Sequence, residues 1–595
     1  VKGDISIGGQ EHFYFEPNAV IVTPKDGELI VESSTQNLNK TQKFVASVMG
    51  MDANRVTSKV RRLGGGFGGK ETQTIPYACA AAVAAHHENR PVRLVIPRDQ
   101  DIQTTGKRHP FYGQYEVGFE EDGKITAVDM QLYSNGGHSH DLSFPVMERA
   151  LFHSDNSYNI PNMRTVGKVC KTNVFSNTAF RGFGGPQGML VAETYIEHVA
   201  HATGLPPHVI RQRNLYSSPD DTTHFGMKMG STDLPRIMRE CKEMSDFETR
   251  YQEVAAFNQD NKWKKKGISL IPSKFGLGFT FAALNQAHCL VHIYTDGSVL
   301  VTHGGVEMGQ GLHTKILQIV AEELDVPFDK VYFSESDTSK IASASPTAAS
   351  MGSDLNGMAA VDACQRLKAR LDEQKSQMGG NPSFQEVVLN AYMNRVSLTE
   401  HGFHKAPVSG FNFETGEGRP FHYWTTGFAC SEVELDVLTG NHRVLRSDIA
   451  MDVGKSINPE VDVGQIEGAF VQGQGLTTIE ELTWGDKHHE WFRPGHFFSN
   501  GPGNYKIPSM DDIPRTFNVK LMSNIDSPAV HSSRGIGEPP LFLGASVMFA
   551  LRGAVAQARK EVGVGEDWFH FDSPLTSERL CLLSNGLEGA HRGSW

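Results

Sequence analysis

Five glycine clusters carry the groups that could do chemistry in this chain: Gly64–Gly69, Gly182–Gly188, Gly304–Gly311, Gly464–Gly475 and Gly535–Gly537. Glycine lets the backbone come close to a ligand, and a helix opening after such a loop presents unpaired N–H groups; together they suit phosphates and other polar ligand groups. Glu71 follows the first of these loops and Glu538 stands directly after the fifth. Read singly, each has a plainer explanation. One glycine cluster is most often a turn, and Glu538 ahead of Pro539–Pro540 is a helix-opening carboxylate. Five clusters of one style are harder to dismiss. The first also meets GxGxxG at Gly64, Gly66 and Gly69 and nearly meets a P-loop through Lys70, but Glu71 stands where a P-loop needs Ser or Thr, so a nucleotide-hydrolase reading is weak.

Sheets and helices must alternate to hold these loops. Alternation around a turn predicts hairpins over Tyr115–Leu132, Leu290–Thr302 and Val433–Ile449, about Asp122–Gly123, Asp296–Gly297 and Thr439–Gly440–Asn441. Helical spacing is seen at Leu312, Ile316, Ile319, Val320 and Leu324, and in Met189–Val199 after Pro186. An α+β fold follows. The basic stretch Asn258–Gly267, with Lys262, Lys264, Lys265 and Lys266, reads as a solvated linker between two halves, residues 1–245 and 246–595.

At 595 residues the chain is long enough for two or three packed domains. A net charge of −12 with 21% charged residues gives no reason to expect nucleic acid. The seven cysteines are scattered without a CxxC pair, which argues against a disulfide framework, a zinc site or an iron–sulfur site and fits a reducing compartment. No apolar run reaches membrane-helix length, Tyr77–Ala85 being the longest candidate, and no membrane partner or signal peptide is expected. An opening at Val1 inside structured-looking sequence suggests a piece of a longer protein.

Nine segments, in order, resemble the xanthine dehydrogenase family of molybdenum hydroxylases: GGQEHFYFE (Gly8–Glu16), SSTQN (Ser33–Asn37), GGGFGGKE (Gly64–Glu71), MERALFH (Met147–His153), NTAFRGFGGPQG (Asn177–Gly188), EMGQGLHTK (Glu307–Lys315), SPTAAS (Ser345–Ser350), GQIEGAFVQG (Gly464–Gly473) and GEPPLF (Gly537–Phe542). The similarity runs to about Ser573 and weakens over the last twenty or so residues. It implies a two-part molybdopterin-binding fold, with mixed sheets and glycine-rich loops feeding helices, in which the pterin dithiolene and no protein side chain ligates the molybdenum.

The resemblance also assigns residues. Glu538 would be the catalytic base, taking a proton from a water-derived hydroxyl that attacks an electron-poor carbon. Gln36, Phe67, Arg181 and Ala349 would surround the metal; Met308, Gly309, Gln310, Gln465, Gly68 and Ser350 would hold the pterin and its phosphate tail. Phe183 and Phe279 would sandwich a flat substrate, with Thr280 on its polar edge. Glu71 and Arg149 together favour a purine, xanthine or hypoxanthine, over an aldehyde, because a Glu can share a proton with a ring nitrogen while an Arg neutralises charge on an oxygen. Two [2Fe-2S] clusters, FAD and NAD chemistry would belong to further parts of the protein, the whole a homodimer in the cytoplasm or peroxisome. The aldehyde oxidases are the near alternative, and a catalytically silent binding domain the more distant one.

Overall fold

The computed structural model describes residues 1–487, 489–523, 527–564 and 567–587. In the first half, a four-stranded sheet runs in the order Lys2–Ile7, Phe111–Phe119, Ile125–Gly137, Asn162–Lys171, antiparallel except for its last, parallel pair. A five-stranded sheet, Ser336–Asp337, Val56–Val60, Glu28–Ser33, Ala19–Lys25, Val92–Val95, takes its first strand from the second half of the chain, so the halves interlock. Two more four-stranded sheets follow. One is ordered Thr516–Met522, His442–Asp452, Tyr423–Asp436, Lys264–Leu277; the other Val331–Phe333, Val299–His303, Gln286–Ile293, Thr399–Lys405. Mixed sheets with helices on them make the fold α+β, as the pattern predicts. All three expected hairpins form, with Leu290 opposite Thr302 and Ala429 opposite Ile449 among the registered pairs.

The expected helices form as Gly185–Thr203 and Leu312–Leu324. The first is buried along Gly185–Ala200 because it lies between the first sheet and helix Ser143–Phe152. Two glycines permit that crossing: a Cβ at Gly184 would stand 2.0 Å from the Val146 carbonyl oxygen, and one at Gly188 would stand 2.3 Å from that of Ala150. The helix bearing Arg149 is thereby clamped beside the loop bearing Phe183.

Two expectations are corrected. Asn258–Gly267 is no solvated linker. Helix Phe247–Asp260 leads almost at once into strand Lys264–Leu277, and Lys265, the inward residue of the alternation, is buried with its Nζ on the Asn258 carbonyl (2.7 Å) and Glu561 (2.9 Å). The largest core cluster runs from Ile5 to Leu580. Secondly, Tyr77–Ala85 is not the most apolar helical stretch. Pro539–Glu561 is long and apolar enough to cross a membrane, with mean hydropathy 1.5, but 83% of that window is buried, which marks a core helix.

Candidate active site

All five glycine clusters contribute to one cavity of about 630 Å³, open to solvent at its mouth. It is lined by every residue singled out above: Glu538; Glu71, Arg149, Phe183, Phe279 and Thr280; Gln36, Phe67, Arg181 and Ala349; Met308, Gly309, Gln310, Gln465, Gly68 and Ser350. Among the described residues no three His, Cys, Asp or Glu side chains gather as a metal cage.

Glu538 is held at both oxygens: Gly182 N–H donates to Oε1 (3.0 Å) and Ser350 Oγ–H to Oε2 (2.9 Å). Two donors orient the carboxylate and leave lone pairs free to take a proton. The supports are strained. Ala349 (φ 54°), Ser350 (φ 56°), Phe67 (φ 55°) and Phe183 (φ 49°) all occupy the left-handed region without being glycine. Each such residue costs about 1–3 kcal/mol, and the surrounding packing must impose it. Here it delivers the Ser350 hydroxyl and two aromatic rings to the cavity wall.

Around the centre, Gln36 Oε1 accepts from Gly68 N–H (2.9 Å) and Lys70 N–H (3.3 Å), while its amide donates to the Thr347 carbonyl (3.0 Å). Gly66 allows this, since a Cβ there would lie 2.6 Å from Gln36 Oε1. Arg181 donates from Nε to the Gly537 carbonyl and, at 3.1 Å each, to Gln472 Oε1, Gln465 Oε1 and the Gln465 carbonyl. Burial lowers its pKa to about 10 against the attraction of Glu538. Lys70, the near-match to a P-loop lysine, points away to Glu16 (2.8 Å).

At the other end, Glu71 is buried, and loss of water, reinforced by Asp141 and Glu538, pushes its pKa up to about 7 against the pull of Lys40. Arg149 is 2% exposed, and its guanidinium lies 4.9 Å from the ring centroids of both Phe275 and Phe421. Its terminal nitrogens donate to the carbonyls of Gly276 (2.7 Å) and Gly278 (2.5 Å), so it fixes the strand end that carries Phe279 and Thr280. Asn285 clamps the same turn, accepting from Phe279 N–H and donating to the Phe279 carbonyl, both at 2.9 Å.

The cavity fits a bulky anionic cofactor. Helices Leu312–Leu324 and Gly352–Met378 both open onto it, with Leu312, Lys315, Gly352 and Ser353 in the wall, and the opening of the second presents helix N–H groups to the cavity. On helix Pro459–Thr477, a Cβ at Gly464 or Gly468 would meet nothing within 4 Å, which leaves an open cradle along the wall. The loop at Met308–Gln310 is more self-contained. Glu307 accepts from Gly309 N–H (2.9 Å), Gly311 N–H (3.0 Å) and His313 N–H (3.1 Å), and Gln310 bridges Met308 N–H and the Val306 carbonyl. Those donors already have an acceptor, and the Lys315 ammonium is likewise held by Asp462 Oδ1 (2.5 Å), so an anion's natural place is nearer Gly352 and Ser353 at the opening of the second helix. Sequence reasoning missed Lys315, Ser353 and Gln472. The last was legible, because Gln465, Gly468 and Gln472 share one helix face.

Two family models, each described as a molybdopterin cofactor-binding domain, match residues 1–215 and 240–514. The chain is 51% identical over 585 residues to a xanthine dehydrogenase of Oryza sativa subsp. japonica and 51% identical over 583 residues to a xanthine dehydrogenase/oxidase of Gallus gallus; each alignment covers 98% of this chain and 42% of the relative. It thus spans under half the length of these relatives. Among solved structures, an aldehyde oxidoreductase from Desulfovibrio gigas superposes with TM-score 0.84 at 24% identity, covering 98% of this chain and 61% of that one. Quinoline 2-oxidoreductase from Pseudomonas putida 86 gives 0.85 at 22%, covering 98% and 75%. At these identities the structural likeness speaks to the fold alone.

Proposed function

Since the chain belongs to the molybdopterin cofactor-binding family of xanthine dehydrogenase type, we propose that it is the portion of a molybdenum hydroxylase that oxidises hypoxanthine to xanthine and xanthine to urate. The observation that carries this is the convergence of Glu538, Glu71, Arg149, Phe183 and Phe279 on the one cavity. When bound, the molybdenum cofactor supplies the two-electron redox chemistry and a site for water-derived oxygen. Arg181, Gln465 and Gln36 would surround it, and Gly352 and Ser353 at a helix opening would hold the phosphate of the pterin. Glu538, oriented by Gly182 and Ser350, takes the proton of the attacking oxygen at its carboxylate. Phe183 and Phe279 give a flat ring two apolar faces, while Glu71, neutral or ionised near pH 7, exchanges a proton with a ring nitrogen. Arg149 stabilises negative charge on the far edge.

Electrons would then leave through two [2Fe-2S] clusters and FAD carried outside this chain, and the whole protein would be a homodimer of the cytoplasm or peroxisome. An aldehyde has no far edge for Glu71 and Arg149 to read, which is why the aldehyde oxidase reading ranks second. The test is steady-state kinetics of the full-length, molybdenum-loaded protein on xanthine, hypoxanthine and an aromatic aldehyde with an artificial electron acceptor. Preference for the aldehyde would overturn the purine assignment.

A further inference from the structure

Helix Ser143–Phe152 grips the wall opposite it with two consecutive residues. Arg149 binds the carbonyls of Gly276 and Gly278, and its neighbour Glu148 accepts a hydrogen bond at Oε2 from Thr280 Oγ1 (3.2 Å). With Asn285 clamping Phe279 from both its N–H and its carbonyl, the backbone of Thr280 is fixed and only its hydroxyl can turn. Thr280 lines the cavity; among the described residues it is the only hydrogen-bond donor to the half-buried Glu148 carboxylate. A hydroxyl has one proton and two lone pairs, and an ionised carboxylate can only accept. Once the Thr280 proton is committed to Glu148, what Thr280 offers the cavity is lone pairs.

We propose that Glu148 is a positioning residue that makes Thr280 a hydrogen-bond acceptor toward the cavity, so that the site selects heterocycles presenting a ring N–H at that edge over those presenting a bare nitrogen or carbonyl. The proposal rests on the purine hydroxylase reading and deepens it, because it states which polarity of the substrate edge is read. A ligand that turned an acceptor toward Thr280 would either face lone pair against lone pair or pull the proton from Glu148. Either way a half-buried group is left unpaired, an imbalance that corresponds to about tenfold in affinity.

The experiment uses the full-length, molybdenum-loaded protein as wild type, Glu148→Met and Thr280→Val, assayed on the alkaline side of neutrality so that Glu148 is ionised. The readout is the ratio of kcat/KM for xanthine to that for each of its singly N-methylated derivatives. In the wild type one derivative, the one whose methyl replaces the N–H facing Thr280, should be poorer by about tenfold or more. That ratio should collapse toward unity in Thr280→Val, which has no lone pairs to offer, and should narrow several-fold in Glu148→Met, where the freed hydroxyl can also donate to the carbonyl beside the methylated nitrogen. A methyl group that merely clashes keeps its penalty in Thr280→Val, and a loosened wall lowers all derivatives together; an unchanged ratio in Glu148→Met therefore overturns the proposal. The same ratios are read as inhibition constants against turnover of an aromatic aldehyde. Should xanthine not be turned over, the purine reading falls, while the inhibition ratios still decide the role of Glu148.

Discussion

Arg181 and Arg149 face the same cavity from opposite ends, both with pKa values lowered to about 10 by burial and both drawn toward Glu538, yet they are wired differently. Arg181 gives its guanidinium to the Gly537 carbonyl, to Gln472 and twice to Gln465. Arg149 gives its own to two carbonyls, and among the described residues its Nε finds no hydrogen-bond partner. A guanidinium has five N–H donors, so Arg181 is close to spent and Arg149 is not. The lesson is that equal charge and a similarly lowered pKa do not mean equal roles: Arg181, the less buried of the two, braces the segment leading into Glu538, whereas Arg149 keeps donor capacity for what enters beside Phe279.

The largest effect expected lies between the two, at Glu538. Glu538→Gln keeps shape and loses the proton acceptor, so kcat should fall by about 10²–10⁴-fold or more while molybdenum per chain stays at the wild-type level. Near-normal turnover in a fully loaded variant would remove the base from the scheme. The arginines should then separate by readout. Arg181→Met leaves Gln465, Gln472 and the Gly537 carbonyl without their shared donor, so molybdenum content should drop with activity. Arg149→Met should retain the metal but lose a few kcal/mol of transition-state stabilisation on xanthine, about a hundredfold, while sparing an aromatic aldehyde. Equal loss on both substrates, or metal loss in Arg149→Met, would erase the distinction.

Much of this was readable before the fold was known, and the exceptions share a cause. Glycine clusters, hairpin turns and helical spacing are local, and they located the loops that meet at the cavity. Lys265 was misjudged because its partner Glu561 lies 296 residues away, and a run of lysines looks the same on a loop as on a strand whose alternate residues turn inward. Glu148, Lys315 and Ser353 escaped for the same reason: their value lies in what they face across the chain. Arg149 lines the cavity, and its hold on Gly276 and Gly278 depends on a strand 127 residues on, which no local pattern announces.

A smaller effect tests the recognition end through pH. The Glu71 pKa is raised to about 7, so the group is largely neutral below that pH and ionised above it. A neutral carboxyl can donate to a ring nitrogen and an ionised one cannot, so kcat/KM for xanthine should carry a limb that falls as pH rises through about 7. Glu71→Gln should delete that limb. Folding carries the same sign: because burial raises the carboxyl's pKa above its unfolded value of about 4.3, the protein loses stability as pH climbs between those two values, and Glu71→Gln should flatten that part of a Tm-against-pH curve. A limb that persists in the variant belongs to another group.

The smallest effect concerns the aromatic walls, where the two halves of the cavity can be compared at fixed chemistry. Phe183 sits at φ 49° between Gly182 and Gly184, where a Cβ on Gly184 would meet the Val146 carbonyl, and Phe279 sits where Asn285 and Arg149 hold it and its neighbours. Truncating either to Ala keeps a Cβ, and therefore keeps whatever backbone strain is present, so the change reads the ring and little else. Stacked or edge-on aromatic contact contributes about 0.5–1.5 kcal/mol beyond burial, which corresponds to a KM raised roughly 2–10-fold for an aromatic heterocycle with kcat less affected. Phe183→Gly supplies the control, since glycine relaxes the left-handed strain. If Phe183→Ala and Phe183→Gly raise KM equally, the ring itself contacts substrate. If Gly alone is damaging, the strain is what matters, holding Gly182 N–H on Glu538, and Phe183 moves from the recognition end of the cavity to the side braced by Arg181.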